Sequence, residues 1–142
     1  MNNIRPNSLL SMLDATEDAV LFDELRDFSA DRHQILQRAG EPTQFVYFPL
    51  SGMISVLTVM SDGEAVETAS IGYDNGAGFN TALSGRNANA QLVVQLSMQS
   101  KRISSEHFKK AYERSAGVRH MVHLGRDARR ADSTIGGVPC VA

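Results

Sequence analysis

The sequence contains one cysteine, no tryptophan and no long hydrophobic run. A single cysteine, Cys140, cannot form an intramolecular disulfide, and it leaves no set of thiolates for a zinc or iron–sulfur site. The first ten residues lack the apolar run of a signal peptide, and no stretch has the length of a membrane-spanning helix. These absences predict a cytoplasmic protein without a bound cofactor and without a membrane segment.

The chain has 142 residues, of which 42% are hydrophobic and 21% charged, a composition typical of one globular domain. The net charge of −2 hides an asymmetry, because basic residues outnumber acidic ones from Lys101 onward. Clustered Lys and Arg side chains can contact nucleic-acid phosphates. On short helices, however, such a cluster is more typical of a solvated face, and we favour that interpretation.

The stretch from Phe45 to Gly72 is the strongest local signal in the chain, because β-branched and aromatic residues dominate it. They fall into three short runs, which predicts a β-meander. Pro49, Ser51 and Gly52 predict a turn after the first run. Asp62 and Gly63 predict a tight hairpin between the second and third runs.

Helices are predicted before this stretch, with Asn7 capping Ser8 to Leu13 and Thr16 capping Glu17 to Leu25. Two short strands, Asp27 to Ala30 and His33 to Gln37, are expected to follow them.

After the meander, a Gly-rich loop precedes strand-like segments from Gln91 to Ile103. Ser104 then begins a helix whose apolar stripe contains Phe108, Ala111 and Tyr112. Gly117 is expected to interrupt this helix, and Gly125 and later glycines oppose a continuous helix after it.

Several spaced words resemble one family. They are Gly40-Glu41-Pro42, the run YFPLSG from Tyr47 to Gly52, the Asp62-Gly63 hairpin word and Ile71-Gly72. In this order they resemble the sensor domain of Crp/Fnr-type bacterial transcription regulators, in the branch that carries YFPLSG. The similarity extends from about Leu9 to about Met121. It implies a mainly β fold, an eight-stranded antiparallel jelly roll (a double-stranded β-helix, or cyclic-nucleotide-binding-like β-roll) with flanking helices.

The resemblance also implies a domain plan. We expect N-terminal helices in residues 1–26, the β-roll sensor domain in 27–103, C-terminal helices in 104–123 and an irregular tail in 124–142. Relatives continue there with a dimer helix and a helix-turn-helix DNA reader, so the sequence predicts a truncated or frameshifted chain. A homodimer is then expected to be weakened, and DNA contact would require the missing C-terminal domain.

The loop from Gly72 to Gly85 matches the place where nucleotide-binding relatives hold the cyclic phosphate and ribose. No carboxylate occurs between Asp74 and Glu106, so the ribose acceptor of those relatives is missing. Arg86 is expected to be a solvated loop residue rather than a phosphate ligand. The sequence therefore predicts an unknown small-molecule effector other than cyclic AMP, with these pocket candidates: Gly76, Gly78, Phe79, Asn80, Arg86, Asn87 and Ala88.

No arrangement of residues indicates an enzyme or a metal site. His120 and His123 are three residues apart, but no cysteine or nearby carboxylate pattern completes a ligand set. Two alternatives to a sensor domain remain open. A small cupin-like metal enzyme would need several histidines on neighbouring strands. A protein-interaction adaptor would use the open edge strands as contact surfaces.

Overall fold

A computed structural model describes residues 7–134, with side-chain placement from 7 to 125. A short 3-10 turn, Leu10–Met12, precedes helix α1, Ala19–Phe22. The remaining elements are strands β1 (Arg26–Ala30), β2 (Ile35–Gln37), β3 (Phe45–Val59) and β4 (Ala65–Ile71), helix α2 (Phe79–Ser84), strand β5 (Ala90–Ser104), and helices α3 (Ser105–Arg114) and α4 (Ala116–Thr134). No helix in this described part is long and apolar enough to cross a membrane.

All strand pairings are antiparallel, and β5 lies at the centre of the sheet. It pairs with β1, β2 and β3, and β3 pairs in turn with β4. The predicted fold class, a mainly β jelly roll with flanking helices, is confirmed. The described residues form five strands rather than eight, because β3 and β5 are each 15 residues long and continue where the sequence predicts a break.

The predicted turn at Pro49 to Gly52 is wrong, because β3 runs through it with shifts in its register against β5. Gly52 makes this possible. Its φ is 79°, and a Cβ on Gly52 would lie 2.4 Å from the carbonyl oxygen of Ser97. Strand β3 therefore has a bulge at Gly52 and continues past it. The hairpin predicted at Asp62-Gly63 is confirmed, with Gly63 at φ 90° between β3 and β4.

Alternate residues of β3 face two separate cores, as the period of a strand requires. Val46 and Phe48 pack with the helices, and Tyr47 lies in the interior of the roll. The helical core also contains Leu21, Phe79, Ile103, Phe108, Val118 and Met121, and the roll core contains Ile54, Val56, Ile71, Leu92, Val94 and Met98.

The N-terminal helices are shorter than predicted. Asn7 does accept hydrogen bonds from the N–H groups of Leu9 and Leu10, at 3.1 and 3.3 Å. Thr16 does not cap the second helix. Asp14 accepts from the backbone N–H groups of Thr16 and Glu17 instead. These two hydrogen bonds, that of Glu17 first, lower the pKa of the Asp14 carboxyl below its usual value.

The C-terminal helices confirm one prediction and overturn another. Ser104 caps α3 by accepting from the His107 N–H at 3.2 Å. Helix α4, however, passes Gly125 and reaches Thr134, so the irregular structure predicted from residue 124 is wrong as far as Thr134. A glycine inside a helix costs only about 1 kcal/mol, which is less than the burial of Val118 and Met121 in the same helix contributes. The remaining predicted tail, 135–142, lies outside the described residues, as does Cys140.

Candidate functional site

The loop after β4 is held against β3 by its backbone. Ala77 and Tyr47 exchange two hydrogen bonds of 2.9 and 3.0 Å, which form a single antiparallel bridge. Gly78 follows with φ 99° and is the N-cap residue of helix α2. A Cβ at Gly78 would lie 3.1 Å from the carbonyl oxygen of Phe45. Glycine is therefore needed here both for its backbone conformation and for the close approach to β3.

A cavity of about 80 Å³ lies between this loop and the roll. Helix α2 forms one wall, and parts of β2, β3 and β5 form the others. Its lining residues are Gln37, Thr43, Val56, Gly78, Phe79, Asn80, Thr81, Ala88, Asn89, Ala90 and Leu92. None of these side chains is charged. The cavity can therefore offer hydrogen bonds and apolar contact, but no ion pair from its own lining.

The structure brings four of the predicted pocket residues together at this cavity: Gly78, Phe79, Asn80 and Ala88. The other three candidates lie elsewhere. Arg86 and Asn87 follow Gly85, which has φ 72°, and both are exposed. Gly76 does not line the cavity. A Cβ at Gly76 would lie 2.5 Å from the Cζ atom of Phe79, so the glycine makes room for that ring.

Sequence reasoning missed the lining residues that come from distant parts of the chain. Gln37 ends β2 and Thr43 precedes β3, and no local motif marks either as a pocket residue. Of Gln37, Thr43 and Thr81, only Thr81 lies within the Gly-rich segment, so its sequence position alone could have indicated a pocket residue. The Thr43 and Thr81 hydroxyl oxygens lie 2.5 Å apart. That hydrogen bond joins the start of β3 to helix α2 at the edge of the cavity.

The same loop also contacts the C-terminal helices. The Phe79 ring stacks on that of Phe108, with centroids 5.5 Å apart and an angle of 9° between the planes. Phe48 completes the aromatic cluster at 5.7 Å from Phe79. Asn75 donates from Nδ2 to the carbonyl oxygen of Gly125 at 3.2 Å. Phe79 of the cavity wall therefore contacts α3, and Asn75 of the same loop contacts α4.

Asn7 connects the N-terminal segment to this loop. It is 1% exposed, and its Nδ2 donates to the carbonyl oxygens of Pro49 and Asn75, both at 2.8 Å. The N-terminal segment and helix α4 thus both contact this loop, through Asn7 and through Gly125.

A second cluster lies where β5 ends. The Cζ atom of the Arg102 guanidinium lies 4.2 Å from the ring centre of Phe28 and 3.9 Å from that of Phe45. Arg102 therefore makes a cation–π contact with each of the two rings. Burial raises the pKa of the neighbouring Tyr47 phenol, and the hydrogen bond and charge of Arg102 oppose that rise. Arg102 does not line the cavity beside α2.

Within the part of the chain whose side chains are placed, no group of three or more His, Cys, Asp or Glu residues is arranged to hold a metal ion. Both His120 and His123 are exposed on α4.

Comparisons with known proteins agree with this fold. Among solved structures, the fold is similar to the catabolite activator protein of Thermus thermophilus, with a TM-score of 0.72 and 19% identity over 88% of this chain and 60% of that one. It is also similar to the c-di-GMP-responsive regulator CLP of Xanthomonas campestris, with a TM-score of 0.70 and 16% identity over 85% of this chain and 61% of CLP.

A third similar structure is the regulatory subunit of a cAMP-independent protein kinase A from Trypanosoma cruzi, bound to guanosine. Its TM-score is 0.70, with 16% identity over 89% of this chain and 48% of that one. The chain thus spans about half to three fifths of the length of these proteins. No curated protein sequence is similar enough to this chain to count as a match.

A family model for the cyclic nucleotide-binding domain matches residues 28–115, which is more than half of the chain. The match covers the roll from Phe28 within β1, the loop with α2 and helix α3. The chain therefore belongs to the cyclic nucleotide-binding domain family.

Proposed function

We propose that this chain is the effector-sensing domain of a Crp/Fnr-type transcription regulator, that it is not an enzyme, and that its effector is not cyclic AMP. The single observation that carries the proposal is the uncharged cavity beside α2, at the loop where the family resemblance places the ligand. A cyclic phosphate buried there would have no cationic partner from the lining, which is costly. An uncharged ligand would not carry that cost.

The connection from the cavity to the helices supports a sensing role. Phe79 lines the cavity and also stacks on Phe108 of α3, while its neighbour Asn75 bonds to Gly125 of α4. An occupant that moves α2 would therefore change the packing of α3 and α4. In a Crp/Fnr-type regulator such a change is expected to reach a homodimer interface and a DNA-reading module.

The similar regulatory subunit from Trypanosoma cruzi is bound to guanosine, which has no phosphate group, and this is consistent with an uncharged ligand. At 16% identity, the similarity to that protein supports the fold alone.

Calorimetric titration with cyclic AMP tests the proposal. We expect no saturable binding below millimolar concentration in the wild type. A variant with Asn80→Glu and Asn89→Arg, which adds a carboxylate and a cation to the lining, is expected to gain measurable affinity. Asn80→Glu combined with Asn87→Arg is the matched control, since Asn87 does not line the cavity. Tight binding of cyclic AMP to the wild type would contradict the proposal.

A further inference from the structure

Asp18 is an acidic residue that the fold buries, with 7% of its surface exposed. It precedes α1, yet its side chain contacts the junction between α3 and α4. Oδ1 accepts a hydrogen bond from the Ser115 hydroxyl, and Oδ2 accepts one from the backbone N–H of Asp14 at 3.1 Å. Within residues 7–125, no basic side chain lies within ion-pair distance of Asp18. The buried carboxylate therefore depends on these hydrogen bonds and on the nearby backbone.

Ser115 is the single residue between α3 and α4. Its N–H donates to the carbonyl oxygen of Ala111 in α3 at 2.9 Å, and its hydroxyl oxygen accepts from the Val118 N–H at 3.1 Å. Ser115 thus caps α4 while it donates its hydroxyl proton to Asp18. Helix α4 has no acidic residue in its own first turn. The negative charge that complements the positive end of its dipole comes from Asp18, 97 positions earlier in the chain.

Gly117 shows how closely the carboxylate approaches α4. A Cβ at Gly117 would lie 3.0 Å from Oδ1 of Asp18 and 3.2 Å from Oδ2. Both distances are shorter than ordinary van der Waals contact. The hydrogen bonds to Ser115 and Asp14 hold the carboxylate in place, so it cannot easily move away from a side chain. Glycine at 117 therefore allows Asp18 to reach the first turn of α4.

We infer that Asp18 is a latch that fixes the direction of α4. While the carboxylate lies against Ser115 and Gly117, the junction between the two helices is held, and when it withdraws α4 is free to change direction. Asn75, in the loop beside the cavity, holds α4 a second time at Gly125. Because the start of α4 is fixed, a movement of that loop turns the helix about the junction. The link to the cavity rests on the proposed function, whereas the latch itself does not.

Asp18→Asn tests the latch, because a carboxamide has one acceptor oxygen and cannot accept from both Ser115 and Asp14. Residual dipolar couplings of backbone N–H groups, measured by NMR on the whole chain, report the direction of α4 relative to the roll. We expect the couplings of residues 118–125 to lose their agreement with the wild-type arrangement, while those of the roll keep it. Asp23→Asn makes the same change at an exposed position nearby and should leave all couplings unchanged.

A purely structural role for Asp18 would lower stability in urea denaturation and leave the direction of α4 as it is in the wild type. Wild-type couplings in residues 118–125 of Asp18→Asn would therefore overturn the inference. That result would leave the proposed function intact. Tight binding of cyclic AMP to the wild type, in contrast, would contradict the proposed function and leave the latch intact.

Gly117→Ala tests the same contact from α4. Hydrogen exchange of the Val118 and Arg119 amides follows it, because both donate to Ser115. In an Asp18→Ala background the added methyl meets no carboxylate, and we expect the higher helix propensity of alanine to slow exchange about fivefold. In the wild-type background we expect Gly117→Ala to speed exchange, because the methyl displaces the carboxylate. A change of the same sign in both backgrounds would overturn the inference.

Discussion

Phe79 and Gly125 are in close contact: a Cβ on Gly125 would lie 3.0 Å from the Cε2 atom of the Phe79 ring. The same Cβ would approach Asn75 Oδ1 to 2.9 Å and Leu9 Cδ1 to 3.1 Å. Phe79 belongs to the cavity wall, and Gly125 lies in the middle of α4. The distance between the cavity wall and the last helix is therefore set by the absence of a side chain at residue 125.

Gly125→Ala is expected to destabilise the domain in spite of the higher helix propensity of alanine. Propensity favours alanine by about 1 kcal/mol, whereas overpacking against three neighbours costs about 1–3 kcal/mol. Urea denaturation measures the net loss. Adding Phe79→Leu should recover part of it, because the smaller side chain makes room. A Gly125→Ala variant more stable than the wild type would contradict the close packing.

Phe108→Ala is expected to lower the free energy of unfolding by about 3–5 kcal/mol, because it removes the ring that stacks on Phe79 and leaves a cavity in the helical core. Leu96→Ala is the control. Leu96 is 52% exposed, so its truncation should change stability by no more than about 0.5 kcal/mol. Chemical denaturation followed by circular dichroism measures both, and similar losses in the two variants would reject the prediction.

Asn7→Ala is expected to cost about 1–3 kcal/mol, since it leaves the carbonyl oxygens of Pro49 and Asn75 without their buried donor. Asn87→Ala removes the same kind of side chain from an exposed site and should have little effect. Hydrogen exchange adds a local measurement, because the loop around Asn75 should lose protection in Asn7→Ala. Unchanged protection there would show that Asn7 does not hold the loop.

The Tyr47 phenol provides a prediction about pH. Its pKa is raised above the ordinary value of 10.0, so the folded state keeps the proton longer than the unfolded state does. The resulting stability is complete below pH about 10 and is lost as pH rises through the folded pKa. Tyr47→Phe should remove this alkaline loss of stability, which denaturation at several pH values measures. Tyr112→Phe, outside the roll core, is the control.

Arg102→Gln tests the cause of the Tyr47 shift. Because the hydrogen bond and charge of Arg102 oppose the rise, their removal should raise the pKa of Tyr47 further. Absorbance of the tyrosinate during alkaline titration measures the shift. A lower pKa in the variant would show that Arg102 does not act on the phenol in this way.

Much of the roll could be predicted from local sequence. Val46, Tyr47 and Phe48 alternate between the two cores, and Asp62-Gly63 forms the hairpin, because strand period and turn chemistry depend on adjacent residues. The turn at Pro49 was mispredicted because Gly52 accommodates a bulge, and whether a strand bends or ends there depends on its partner β5.

The sequence by itself determined the β-rich middle of the chain, the cap at Ser104 and the absence of a carboxylate from the segment that carries the Gly-rich loop. Only the tertiary structure decided that Gln37, Thr43 and Thr81 share one cavity, since they meet through strand pairing between distant segments. It also decided that α4 continues through Gly125. The helix persists there because its buried side chains outweigh the low helix propensity of glycine, and a larger residue at 125 would crowd the Phe79 ring.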